Sequence, residues 1–362
     1  MKKLEENNVY FYVDRNKIIH NFREFNKFGN VYYPLKANSN EIILKILKPL
    51  INEINNGFLI SYISHYEALK EIGVNPNKMC LINVLAEKES VKYLYKEGVR
   101  YFTFDNLDSL KDFAEYADLN ETKIVFRLSS TEVFNDKFIH LGCNTDECKE
   151  MISYLKGKCA NYGISFYIQK EIKLENKSLE KMLEYIDNNF KGLDVSFINI
   201  AGLKQYYEVN GDSIKDVKKK MKLKEVILEP GKHLIGEAID METRIIKTKA
   251  IKNKAVVVIK NGIFSGFFDT VLYDEQFELY LKSREDGNIR ITYEKIKDTD
   301  FEFVLCGGAL DSKDILGTMY IDDKYKNELV VGSKIYAKSV GSYFEEFFMP
   351  AGGDLNKVYK FI

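Results

Sequence analysis

Three charged residues stand at the ends of apolar, β-type runs: Lys36 in VYYPLKA, Arg127 in IVFRLS and Glu229 in EVILEPG. A lysine amine can condense with a carbonyl compound, an arginine can hold an anion, and a carboxylate can hold a proton or a cation. Two further strand-end runs carry glycine, Ala201-Gly202 and Pro230-Gly231, where a bare backbone lets N–H groups approach an anion closely. A strand-end lysine is equally the ordinary solvated cap of a strand, so residue type alone leaves both readings open.

These residues need elements that bring strand ends together. The first two-thirds of the chain alternate short apolar runs with amphipathic stretches. The runs are Val31–Ala37, Gly57–Tyr62, Met79–Val84, Tyr101–Asp105, Ile124–Ser129, Gly163–Ile168, Val195–Gly202 and Glu225–Gly231. Continuous apolar runs are expected of parallel strands buried on both faces. The stretches HYEALKEIG (His65–Gly73) and EKESVKYLYKEG (Glu87–Gly98) have helical spacing and end in glycine, a common helix stop. Eight strand–helix repeats predict an α/β fold, a (β/α)8 TIM-like barrel; the alternative is an open doubly wound sheet. After Glu237 the texture becomes strand-rich without long helices: Thr243–Ile251, Ala255–Ile259, Phe301–Leu305 and Lys334–Lys338. The expected organisation is a barrel over 15–236 and a C-terminal all-β domain over 237–362. The domain is joined by residues 1–14, whose run Val9–Val13 reads as a strand.

Composition narrows the function. The 53 Lys+Arg balance 54 Asp+Glu, against a nucleic-acid binder that relies on a basic face. No apolar run approaches the roughly 20 residues of a membrane span, and the start MKKLEENN lacks an apolar signal core. Five scattered cysteines and four histidines form no ligand pattern, so no metal site is expected, and a reduced cytoplasmic compartment is. No GxGxxG follows a strand, which disfavours a nicotinamide dinucleotide site.

In a barrel the strand ends form one catalytic rim, and phosphates commonly sit at the loops after strands seven and eight. Lys36, Arg127, Glu229 and the two glycine turns then make the inventory of a pyridoxal phosphate site. The motifs around them resemble those of the fold-type III pyridoxal phosphate decarboxylases, the ornithine, arginine and diaminopimelate enzymes related to alanine racemase. Tyr33–Asn38 (YPLKAN) is similar to their YAVKAN, and Glu229–Lys232 to EPGR. Gly307–Asp314 (GGALDSKD) is similar to GPTCDSxD, and Gly341-Ser342-Tyr343 to GAY. Weaker likenesses fall at Phe102–Asp105, Ser64–Glu67 and Asn261–Ser265, so the resemblance runs in order from about residue 9 to the end.

The resemblance implies roles. Lys36 would hold the cofactor as a Schiff base, and Glu229 would keep its ring nitrogen protonated. Arg127 matches the family's strand-five arginine, and Tyr167 stands where a family histidine stacks on the ring. Gly202 and Gly231 would give backbone N–H to the phosphate, with the Tyr343 hydroxyl. Asp311 matches an acidic residue that crosses a homodimer interface to meet the distal amine of a basic amino-acid substrate; by itself it reads as an exposed loop residue. The implied function is decarboxylation of an amino acid.

The departures are also legible. Leu310 replaces the cysteine that returns a proton to the α-carbon, and leucine moves no proton. Cys306, four residues earlier, reads as a strand residue. One glycine survives of the triple-glycine turn after strand seven, and Lys232 replaces an arginine, losing its fork. Two alternatives therefore stand beside the decarboxylase. One is a racemase, which needs a tyrosine base that the Leu310 position does not supply. The other is a non-catalytic relative that binds or regulates, against which the retention of both Lys36 and Glu229 argues.

Overall fold

A computed structural model describes residues 7–53, 55–134, 140–168, 177–201, 204–252, 254–272, 274–346 and 355–362, with the backbone alone at 204–211 and 272. It packs as two compact units, one from the described residues of 1–18 and 234–362, the other from 19–233.

The second unit is a closed parallel barrel. After β1 (Asn8–Val13) and α1 (Arg15–Asn26), its strands are β2 (Asn30–Pro34), β3 (Gly57–Ile60), β4 (Met79–Leu81) and β5 (Tyr101–Phe104). They continue with β6 (Lys123–Arg127), β7 (Tyr162–Tyr167), β8 (Phe197–Ala201) and β9 (Glu225–Glu229). Each pairs in parallel with the next, and β9 returns to β2, so the sheet has no edge. The barrel is thus the architecture that the eight runs predict, and the open sheet is not. Helices α2 (Glu41–Asn52), α3 (Ile63–Glu71), α4 (Lys88–Lys96), α5 (Leu107–Ala114), α6 (Thr145–Leu155), α7 (Ser178–Phe190) and α8 (Lys204–Lys220) alternate with the strands. The expected glycine stops hold: Gly73 and Gly98 follow α3 and α4 at φ +72° and +99°, a region that glycine enters without strain.

Period-two alternation sends every second strand residue into the lumen. Tyr32, Leu59, Cys80, Tyr101, Val125, Phe197 and Ile227, from seven different strands, form one buried cluster there. Two glycines make the room. A Cβ on Gly163 would lie 2.4 Å from the Phe197 ring, and one on Gly57 would lie 2.4 Å from the Tyr32 ring. The lumen is therefore a packed core, and the chemistry is confined to its ends.

The first unit is a nine-stranded sheet. Its spine is β10 (Ile239–Ile251), which pairs antiparallel with β1, with β11 (Lys254–Ile259) and with β16 (Lys334–Ala337). The strands β12 (Leu279–Lys282), β13 (Asn288–Ile291), β14 (Phe301–Cys306), β15 (Ile315–Ile321) and β17 (Asn356–Phe361) complete it. The opening strand β1 lies between β10 and, in parallel, β17.

Candidate active site

Lys36 does not extend β2. The strand ends at Pro34, and Leu35–Ala37 form one 3-10 turn that carries the lysine. Leu35 and Ala37 are buried, and the Tyr33 hydroxyl donates to the Asn38 carbonyl at 2.9 Å, which ties the turn to the strand. Solvent reaches the Lys36 side chain although protein surrounds it, the setting of a cleft floor. Burial pushes its amine below the ordinary lysine range; Glu229 opposes this shift and Arg127 adds to it. A lysine poised toward the neutral amine is a better nucleophile than a solvated one.

Glu229 is the last residue of β9, half-buried at the same end of the barrel. Burial pushes its carboxyl up, while Arg127, Lys36 and a hydrogen bond from Asn199 pull it back. That bond is short: Asn199 Nδ2 donates to Glu229 Oε1 at 2.7 Å. Arg127 ends β6, and its guanidinium carbon lies 6.0 Å from the centroid of the Tyr167 ring at the end of β7.

Gly231 follows β9 and packs against the Lys36 turn. A Cβ there would lie 3.0 Å from both Ala37 Cβ and Pro34 Cγ, so the glycine is what allows the two segments to meet. The barrel thus brings together Lys36, Arg127, Tyr167, Glu229 and Gly231. Gly202 lies outside the described residues. Asp311 and Tyr343 belong to the other unit.

In that unit Asp311 is exposed, in the loop between β14 and β15, and its Oδ1 accepts from the Lys313 N–H at 2.7 Å. Leu310 beside it is fully exposed. The loop is held by Asp314, a buried carboxylate that accepts from the N–H of Ile263 at 2.7 Å and of Ala309 at 2.9 Å. Tyr343 is half-buried with φ +63°. Cys306 ends β14 half-buried, and burial raises its thiol.

Sequence reasoning missed Asn199 and Gly142, and it noted Asp105 only as the end of a motif, with no role. Asn199 is the one amide in VSFINIAG, and it is two residues from the strand end in the phase that faces the lumen. That break in an apolar run was the available signal. Asp105 Oδ2 accepts from the Gly142 N–H at 3.1 Å, and Cys143 N–H donates to the Arg127 carbonyl at 2.8 Å, which pins the strand end behind Arg127. Gly142 has φ +94°, and a Cβ there would lie 3.0 Å from that carbonyl.

Among the described residues no group of three or more His, Cys, Asp or Glu is placed to hold a metal ion, and no helix is long and apolar enough to cross a membrane.

Residues 15–169 match the family described as "Pyridoxal-dependent decarboxylase, pyridoxal binding domain". That segment holds the first six strands of the barrel, β2 to β7, and it is this part of the chain that is similar to the pyridoxal-binding domain. The chain is similar to the lysine/ornithine decarboxylase of Selenomonas ruminantium, at 22% identity over 87% of this chain and 79% of that one. It is comparably similar to antizyme inhibitor 1 of Rattus norvegicus, 23% identical over 92% of this chain and 78% of that protein. Among solved structures, the arginine decarboxylase of Paramecium bursaria Chlorella virus superposes with a TM-score of 0.80 at 17% identity. The match spans 98% of this chain and 96% of that one. The proteins it is similar to thus include some named as enzymes and some named as inhibitors.

Proposed function

We propose that this chain is a pyridoxal phosphate-dependent amino-acid decarboxylase acting on a basic or diamino acid. The observation that carries the reading is the meeting of Lys36, Arg127 and Glu229 at one end of the barrel, with the lysine amine pushed toward its neutral form. The donor set fits the cofactor: a nucleophilic amine for its aldehyde, a carboxylate for its ring nitrogen, and a guanidinium beside an aromatic ring. A buried acceptor, Asn199 Oδ1, has no partner among the described residues.

When bound, pyridoxal phosphate supplies an electron-poor ring that takes up the electron pair left as carbon dioxide departs. The chain's residues do the rest. Lys36 would hold the cofactor through its amine, which burial keeps toward the neutral, nucleophilic form. Glu229 would accept a hydrogen bond from the protonated ring nitrogen and stabilise its charge. Arg127 and Tyr167 would hold the cofactor from the barrel end and Gly231 would give its backbone N–H to the phosphate, while the phosphate roles of Gly202 and Tyr343 follow from the resemblance of their motifs. Asp311 receives the distal amine of the substrate from across a homodimer interface. The relatives are named for lysine, ornithine and arginine, all basic amino acids.

Leu310 favours a second reading, a binding or regulatory protein, because it removes the family's proton donor and presents an apolar side chain to solvent. The similarity to an antizyme inhibitor is consistent with it.

One experiment separates the two. Purified protein is incubated with pyridoxal phosphate, reduced with borohydride and digested, and in parallel supplied with carboxyl-labelled lysine, ornithine, arginine and diaminopimelate. A pyridoxyl group on Lys36 together with released carbon dioxide supports the enzyme. Label on another lysine, or no label, ends the first reading, and label without release from any amino acid supports the second.

A further inference from the structure

We propose that Asn199 is a positioning residue that holds Glu229 as a carboxylate facing the cofactor ring. Asn199 is 1% exposed and lies on β8, directly beside β9; the register pairs Asn199 with Ile227 and Ala201 with Glu229. Its amide therefore approaches Glu229 from the lumen, one step below the strand end. Nδ2 donates to Oε1 at 2.7 Å while Oδ1 has no partner among the described residues. An asymmetric arrangement of this kind satisfies the anionic acid. A protonated Glu229 could still accept from Nδ2 through its carbonyl oxygen, but a neutral acceptor holds the bond less strongly than a carboxylate, so the bond favours the charged form.

Four other titratable groups bear on the same carboxyl. Arg127 and Lys36 favour its charge, and Cys80 and Tyr101, buried in the lumen, lie within electrostatic reach of it. Burial works against the charge more strongly than these partners restore it. The Asn199 amide is the contributor that adds a hydrogen bond without adding a titrating group. The consequence for catalysis rests on the proposed role of Glu229 at the ring nitrogen; the effect on Glu229 itself does not.

The test therefore reads Glu229 in the cofactor-free protein. Infrared difference spectra follow the protonated-carboxyl band on acidification, and the band of Glu229 is assigned by its loss in Glu229→Gln. Asn199→Ala is expected to move the midpoint so that Glu229 protonates at about tenfold lower acidity, because a hydrogen bond to the charged form is lost. Asn199→Asp is expected to move it further, since a second carboxyl then competes for the same site. Asn199→Ser, which keeps a donor, stays within about threefold of the parent. If Asn199→Asp fails to fold, Asn199→Ala decides alone. Midpoints of the Ala and Asp variants within twofold of the parent overturn the inference, as does a Ser variant that shifts as far as Ala. A chain that never labels Lys36 sinks the proposed function and leaves this titration intact; an unmoved midpoint in a chain that labels Lys36 sinks only the role of Asn199.

Discussion

Glu225 and Glu229 sit at opposite ends of β9 and face the same lumen, yet only the lower one is fully tied down. Glu225 pairs with Lys123, the first residue of β6, and also accepts from Asn30 Nδ2 at 2.7 Å. The Lys123 ammonium in turn lies 4.3, 4.8 and 5.6 Å from the ring centroids of Phe197, Tyr101 and Tyr32. Four residues along the same two strands, Arg127 and Glu229 again place opposite charges that attract one another, with Val125 and Ile227 as an apolar layer between. The lower pair closes the barrel, and the upper pair is left with groups that a ligand can meet.

That division predicts where stability and activity separate. Lys123→Ala leaves Glu225 half-caged and without its cation, and is expected to lower unfolding free energy by about 3 kcal/mol. Replacing both partners together, Lys123→Met with Glu225→Leu, is expected to cost less than either single change, because no buried charge is left alone. Denaturant unfolding of the three variants measures this. Single changes that cost under about 1 kcal/mol would show that the floor pair is incidental.

The upper pair has the opposite character. Burial raises the Glu229 carboxyl above its unfolded value, so the folded state binds its proton more readily than the unfolded state. The associated stability is then fully present below the unfolded value and is lost as pH rises through the folded one. Glu229→Gln removes this dependence. In cofactor-free protein the variant should gain on the parent as pH rises from the ordinary glutamate range upward, and the gain should fade on acidification. Melting temperatures of the two proteins across that range decide it. A flat difference, or one that grows on acidification, is incompatible with a carboxyl held up by burial. The same substitution should reduce turnover far more than cofactor content, since the carboxylate acts on charge that develops in the transition state.

The barrel was legible because eight apolar runs recur at helix-length spacing, and periodicity of that length survives small errors at each boundary. The boundaries themselves were not. Lys36 reads as the end of a strand, but the chain turns at Pro34, where the missing N–H ends the ladder. In the β unit, Leu279–Lys282 and Asn288–Ile291 escape notice because charged and polar residues interrupt runs of only four. Ile315–Ile321 hides behind Gly317, a residue that ordinarily marks a break in a strand. Lys36, Glu229 and Arg127 stood out because charge at the end of an apolar run is conspicuous. Asn199 did not, since its partner on the next strand is set by register, which a single sequence does not display.

The Asp311 loop offers a test of architecture that needs no ligand. A Cβ on Gly307 would fall 2.2 Å from Asp314 Oδ2, and one on Gly262 would fall 2.0 Å from Oδ1. Both glycines exist so that a buried carboxylate can bind backbone N–H groups on each side of it. Gly307→Ala is expected to destabilise by about 3 kcal/mol, because a methyl there displaces the carboxylate from its donors. The control is Gly157→Ala. That glycine has φ +77° but open space around it, so only backbone strain of about 1 kcal/mol is expected. Equal losses at the two sites would mean that Asp314 does not organise the loop.

The last prediction concerns assembly. Under the proposed function, Lys36 is joined in its site by Asp311 of the partner subunit, and two-fold symmetry makes two such sites per dimer. Lys36→Ala and Asp311→Ala should each give a poorly active protein. Mixed and allowed to exchange subunits, they should recover about a quarter of parental activity. Half the dimers are then mixed, and each mixed dimer holds one site with both groups intact and one with neither. Size-exclusion chromatography with light scattering establishes the dimer, and a tag on one variant establishes the exchange. Recovery requires that the two residues come from different subunits, because a site assembled within one chain cannot be repaired by its partner. Proven exchange without recovery would leave Asp311 either serving its own subunit or absent from the chemistry. Parental activity in Asp311→Ala alone would select the second and would remove the acidic residue on which the choice of a diamino acid depends.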